Sequence, residues 1–292
     1  MIIDFHAHLA YHKIYPEKFL ASLSDLKKIG SDNAKQLSLL KLFLRDDLGK
    51  KLIKQMDEAG ISKSVLLIVD DNEYLGKSAE TIIEKYERHS KVLKEYPTRF
   101  YVFAGYHPLR KGGFELLKKG IEKYGFHGIK LYPPFNFRVD TDIMKPCYEY
   151  ANEKGLVILS HTGFSVDGLL NEYADPKYFL NVVDYYPNAK FVLAHAGYKL
   201  NNAIVQELIQ RDNVYADIAG FQTASKDDLS FIFNKGFNHK ILFGTDFPIN
   251  NMMKPLSHLV SLIENLYREL NIGNKVLLEN ILYNNAYNLL SK

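Results

Sequence analysis

Met1-Ile2-Ile3-Asp4-Phe5-His6-Ala7-His8 is an apolar run that begins at the first residue and ends in two histidines. On a strand the side chains at i and i+2 point to one face, so His6 and His8 converge on a single point. Two neutral imidazoles held that close are natural donors for zinc or a similar divalent ion. The glycine-rich fingerprint of a dinucleotide-binding fold would stand in the turn after such a strand. Histidines occupy that turn here.

Working outward from this strand, the chain settles into a rhythm after Gly60. Short β-branched runs at 63–69, 100–105, 128–131, 157–160, 190–194, 214–218 and 241–244 alternate with helix-length amphipathic stretches. The helical patterns lie at 77–96, 113–124, 141–154, 175–186, 199–211, 225–235 and 254–270. Apolar runs without alternation mark strands buried on both faces, as in parallel sheets. With the first strand there are eight βα units, which predicts a TIM (β/α)8 barrel rather than an open doubly wound sheet. No linker, repeat or low-complexity segment interrupts them, so residues 1–292 read as a single domain. Residues 34–59 carry apolar residues at helical spacing and stop at Gly60. Residues 9–33, with Tyr15, Phe19 and Leu23, read as a helical insertion over the end of the first strand, a candidate lid. A last stretch at 275–290 is expected to be an extra C-terminal helix outside the barrel.

Composition sets the class. At 47% hydrophobic and 24% charged, the chain has enough apolar surface for a large core and no bias towards disorder. A net charge of +3 with interspersed signs leaves no nucleic-acid footprint, and the paired lysines at 27, 28, 50, 51, 118 and 119 read as solvated helix faces. One cysteine, Cys147, excludes an intrachain disulfide and suits a reducing, cytoplasmic setting. It sits in a helical pattern with Met144, Tyr148 and Ala151, as a packed thiol would. No membrane span and no signal peptide is visible. A small-molecule substrate is the expected partner, and a homo-oligomer is compatible with the composition.

In a TIM barrel the reactive groups gather at the carboxyl ends of the strands. Those ends read Gly128-Ile129-Lys130-Leu131-Tyr132, Leu159-Ser160-His161-Thr162-Gly163, Leu193-Ala194-His195-Ala196-Gly197 and Phe243-Gly244-Thr245-Asp246-Phe247-Pro248. Each places one ionisable or metal-competent residue directly after an apolar run. Lys130 is enclosed by apolar neighbours, where a charge is expensive unless paired. A single histidine of this kind is usually a satisfied core residue; the same placement on five strands points to a site.

His6-Ala7-His8, Lys130, His161, His195 and Asp246, in that order along the strands, resemble the amidohydrolase superfamily. The segments at 129–135, 160–163, 194–197 and 243–248 resemble its branch that includes aminocarboxymuconate-semialdehyde decarboxylase and related hydrolases. The resemblance implies that His6, His8 and His161 bind a divalent metal, most naturally Zn²⁺, with Asp246 completing the set and taking the proton of an activated water. His195 would be a catalytic base with one ion, or a ligand of a second ion if two are held. Lys130 would then be a carboxylated bridge between the two; otherwise it is an ion-pair partner or a cation for an acidic substrate.

Weaker candidates for contact with substrate are His107, Tyr132 and Arg138, with Phe135 and Phe137 nearby, and Asp217 is a candidate partner of a ligand histidine. His12, His89, His127, His239 and His258 lie off the strand-end pattern and receive no role. Expected chemistry is metal-dependent hydrolysis of a small lactone, amide or ester, with metal-dependent, non-oxidative decarboxylation of an aromatic or unsaturated acid as the alternative. A barrel that only binds a ligand is the third reading.

Overall fold

The computed structural model describes residues 1–26, 33–198, 200, 202–234, 236–249 and 254–291. Lys27 and Lys28, the end of the expected insertion, and residues 199, 201 and 235 of the expected helices lie outside them.

Eight strands follow one another: β1 (Ile3–Ala7), β2 (Lys63–Leu67), β3 (Phe100–Gly105), β4 (Gly128–Leu131), β5 (Val157–His161), β6 (Lys190–Ala194), β7 (Val214–Asp217) and β8 (Ile241–Leu242). They pair in chain order, every ladder parallel. Backbone hydrogen bonds between the ends of β8 and β1 bring the sheet round on itself, from Phe5 N to Phe243 O (2.8 Å) and from Asp246 N to His6 O (2.7 Å). The result is the eight-stranded TIM barrel that the sequence predicts.

Alternation sorts the strand side chains into two sets. Ile3, Phe5, Val65, Leu67, Phe103 and Leu159 belong to a cluster that fills the barrel, whereas Leu66, Val102, Ile129 and Ile158 pack under the helices. One irregularity decides where the site lies. Asp4 pairs with Ser64 and Ala7 with Leu66, so Phe5 and His6 together stand opposite Val65. This is the count of a β-bulge, which re-aims a side chain. It lets Phe5 fill the interior and the next residue, His6, enter the cavity above it. Two glycines make room: a Cβ on Gly128 would lie 2.8 Å from the Phe103 ring, and one on Gly244 would lie 2.9 Å from the Cβ of His6.

The helices are α1 (Glu17–Leu26), α2 (Asn33–Phe43), α3 (Lys50–Ala59), α4 (Ile82–Glu95), α5 (Gly113–Glu122), α6 (Lys145–Lys154), α7 (Ala203–Ile209), α8 (Lys226–Ser230), α9 (Ser257–Glu269), α10 (Lys275–Glu279) and α11 (Asn285–Leu290). A capping box between Thr81 and Glu84 starts α4.

Three expectations are corrected. The stretch at 34–59 is two helices, because Arg45 leaves the helix to bridge to Tyr11 and Gly49 takes a left-handed φ of 78°. The stretch at 175–186 holds only 3-10 turns, Pro176–Asn181 and Val183–Tyr185. There Asp175 caps its own turn at Lys177 N, and Pro187 disfavours helix at the residue before it. The C-terminal segment does not pack outside the barrel. Ala286 and Leu289 of α11 join the interior cluster with Ile3 and Leu242 and plug the amino-terminal end, while Asn285 Nδ2 donates to Asn238 O and Ile241 O, both at 2.7 Å. Among the described residues no helix is long and apolar enough to cross a membrane.

Candidate metal centre

At the carboxyl end of the strands the interior is polar. His6, His8, Lys130, His161, His195 and Asp246 line one cavity of about 240 Å³, together with Tyr132. From the insertion after β1, Ile14, Tyr15, Phe19 and Leu23 close part of the wall.

The donors of three histidines can be read from their partners. The Nδ1 of His8 lies 2.9 Å from Leu67 O, and that of His195 lies 3.0 Å from Ala219 O. A carbonyl only accepts, so both Nδ1 atoms carry the proton and both Nε2 atoms keep a lone pair. His6 Nδ1 lies 2.9 Å from Asp217 Oδ2, which fixes the same tautomer. The Nε2 atoms of His6 and His8 then face one oxygen, Asp246 Oδ1, at 3.4 and 3.5 Å. Ligand atoms of His6, His8 and Asp246 all lie within 4.8 Å of one another. His6, His195 and Asp217 form a second group of that kind. Asp217 is already committed there, since its Oδ1 accepts from the amides of His195 (2.8 Å) and Ala219 (3.1 Å).

His161 does not join the trio. Its ring lies 4.9 Å from that of His195, which lies 4.7 Å from that of His6, and its other face stacks on Tyr132 at 4.5 Å. Its buried Nε2 has no hydrogen-bond partner, and neither does Lys130 Nζ. Buried polar atoms are rarely left unpaired.

Electrostatics follow from burial and neighbours. Burial pushes His161 well below the usual histidine range and His195 down to about 4, so both rest neutral. Burial alone would raise the Asp246 carboxyl. The facing imidazoles of His8, His6 and His195 outweigh it and hold Asp246 well below the carboxylate range. Burial lowers Lys130 to about 8 against the pull of Asp217 and Asp246. Neutral nitrogens with free lone pairs, an ionised oxygen among them and an unpartnered His161 Nε2 fit a divalent cation.

Two expected contacts fall elsewhere. His107 does not line the cavity: its Nε2 donates to Phe135 O at 2.7 Å and its Nδ1 accepts from Leu109 N at 3.2 Å, which uses both ring nitrogens in the fold. Arg138 turns outward, 41% exposed, and forks onto Asp140 (3.0 and 2.6 Å). Asp71 and Lys85 line the cavity but drew no attention in the sequence. The signal was present: Asp71 follows the apolar run of β2 as Asp246 follows that of β8, and Lys85 and His89 stand one turn apart on the buried face of α4.

The amidohydrolase family matches residues 3–292. The chain belongs to that family. No curated protein sequence matches it. Among solved structures, this family member is similar to 5-carboxyvanillate decarboxylase from Sphingomonas paucimobilis, with 15% identity over 99% of this chain and 98% of that one and a TM-score of 0.71. It is also similar to a dihydroxybenzoic acid decarboxylase from Polaromonas sp. JS666 that holds manganese and 2-nitroresorcinol (18% identity, 99% and 97% covered, TM-score 0.67). A probable 2-pyrone-4,6-dicarboxylic acid hydrolase from Acinetobacter baumannii with bound citric acid is a third (15%, 100% and 99%, 0.65). Decarboxylases and a hydrolase therefore share this barrel.

Proposed function

We propose that the chain is a metal-dependent hydrolase of a small, flat substrate such as a lactone, amide or ester. The observation that carries this reading is the ionised Asp246 carboxylate between the Nε2 atoms of His6 and His8 at the end of a small cavity. His6, His8, His161 and Asp246 would hold the ion, which zinc suits by its donors and manganese by precedent in a relative. When bound it polarises a carbonyl and makes water acidic near neutral pH.

The chain's own residues supply the rest. Asp246 is ionised and accepts the water's proton. His195 is neutral, tied by Nδ1 to Ala219 O, and serves as a second acceptor. Asp217 keeps His6 in the tautomer that leaves Nε2 free. Tyr15, Phe19, Tyr132 and Phe135 wall the cavity with rings and exclude bulk water. Lys130 would attract an acidic group on the substrate as a cation. As a carboxylated side chain, with His195, it would instead hold a second ion.

Decarboxylation is the second reading, favoured by the aromatic wall, which suits a single-ring acid, and by the decarboxylases among the structural relatives. It asks His195 to give a proton to carbon, which a histidine that burial keeps neutral must first take up. Asp246→Asn tests the primary reading. The variant should fold, and its turnover of a lactone or aryl ester, in metal-saturated protein, should fall by about 10³ or more. Turnover like that of the wild type would end the proposal; carbon dioxide release from aromatic acids without net water consumption would move it to decarboxylation.

A further inference from the structure

Two acidic residues follow β2, and they are treated differently. Asp70 is fully matched: Arg110 Nε lies 2.9 and 2.7 Å from its two oxygens, and Nη2 lies 2.6 Å from Oδ1. Asp71, 4% exposed, faces Lys85 of α4, 3% exposed, and the closest approach is 3.6 Å from Nζ to Oδ1. That is too long for a hydrogen bond. Asp71 Oδ2 has no hydrogen-bond partner. Burying two charges is costly unless the geometry is good and the remaining donors and acceptors are satisfied. A pair kept to hold the fold would resemble Arg110–Asp70. This one is short of partners, and both of its members line the cavity.

Three hydroxyls on that wall are already engaged. Tyr15 donates to Leu9 O at 3.0 Å, and Tyr132 and Ser165 hydrogen-bond to each other. The ammonium of Lys85 and the free oxygen of Asp71 thus offer a donor and an acceptor side by side. The smallest group that serves both is a hydroxyl, whose oxygen accepts from Nζ and whose hydrogen goes to Oδ2.

We propose that Lys85 and Asp71 form a hydroxyl-binding subsite in the cavity wall, which selects a hydroxyl-bearing substrate independently of the metal cluster. The proposal takes from the preceding section only that substrate binds in this cavity. Its test is binding rather than turnover. Benzoate and its 2-, 3- and 4-hydroxy derivatives are titrated by calorimetry into wild-type protein, once after chelator treatment and once loaded with zinc.

At least one hydroxy isomer should bind about tenfold tighter than benzoate in both states, as one hydrogen bond to charged groups would provide. The double variant Lys85→Met/Asp71→Leu removes both charges, so neither is left buried alone, and it should bind every isomer like benzoate while melting at or above the wild-type temperature. Asp71→Asn, which keeps the shape and discards the charge, should shrink the preference to under about threefold. Three results would overturn the subsite: no isomer beats benzoate in the wild type, the preference survives in folded variant protein, or it appears only with zinc. Hydroxyl preference without turnover removes the hydrolase reading and leaves the subsite; turnover without hydroxyl preference does the reverse.

Discussion

The two mouths of the barrel are built on opposite principles. At the amino-terminal mouth Ala286 and Leu289 press into an apolar plug, and the polar group beside them, Asn285, is satisfied by two carbonyls. At the carboxyl-terminal mouth the histidines, two lysines and two aspartates line an open cavity, and His161 Nε2, Lys130 Nζ and Asp71 Oδ2 have no hydrogen-bond partner. One end spends its side chains on stability. At the other, unmet polar groups are what a ligand or ion would meet, and the fold carries their burial because the plugged end and the helices support it.

The contrast can be broken first at the plug. Leu289→Ala should cost about 2–4 kcal/mol of stability, read as a lower denaturation midpoint, while turnover per folded molecule stays at the wild-type level. Loss of turnover in folded protein would show that the two ends are coupled.

At the other mouth the opposite split is expected of Asp217→Asn. An amide facing His6 can donate to Nδ1 and push the proton to Nε2, the atom needed as a donor. Metal affinity should fall about 10- to 100-fold with little change in melting temperature, as checked by competition with a chromogenic chelator. Unchanged affinity would remove Asp217 from the site's support.

A smaller effect is expected with pH. Burial holds His195 down to about 4 and His89 down to about 3, against an ordinary value near 6.5. Both are neutral in the folded protein and take a proton on unfolding, so the unfolded state binds more protons and stability falls as pH drops from 6.5 towards 4. Each contributes up to about 1.4 kcal/mol per pH unit in that window. Melting scans of chelator-treated protein between pH 7 and 4.5 should show the fall, and His89→Phe should reduce the slope while leaving the His195 part. An unchanged slope in His89→Phe would mean that this ring is not buried neutral.

Most of the barrel was legible because strands buried on both faces leave continuous apolar runs. The runs at β3, β4 and β6 can be bounded to the residue, and the runs ending at His161 and Asp246 pointed to the cavity. What escaped has physical causes. The β-bulge that aims both Phe5 and His6 inward depends on register with β2, which one strand's sequence does not contain. Whether α11 packs on or into the barrel turns on Ala286 and Leu289, residues that suit either place. In the sequence Lys85 is one more charge between Glu84 and Glu87, and only its burial beside Asp71 sets it apart. His107 was read from its place after β3, yet the Phe135 carbonyl of the loop after β4 and the Leu109 amide of its own loop claim both of its nitrogens.

Elemental analysis of protein purified without chelator, wild type beside His161→Ala, tests the central claim most directly. A divalent ion retained by the wild type through gel filtration and lost from the folded variant is the expected result, because His161 is the donor with a buried, unpartnered Nε2 and the one that must join His6, His8 and Asp246 around the ion. A wild type that holds no divalent ion, or a variant that holds it equally well, would contradict a metal centre at the carboxyl mouth.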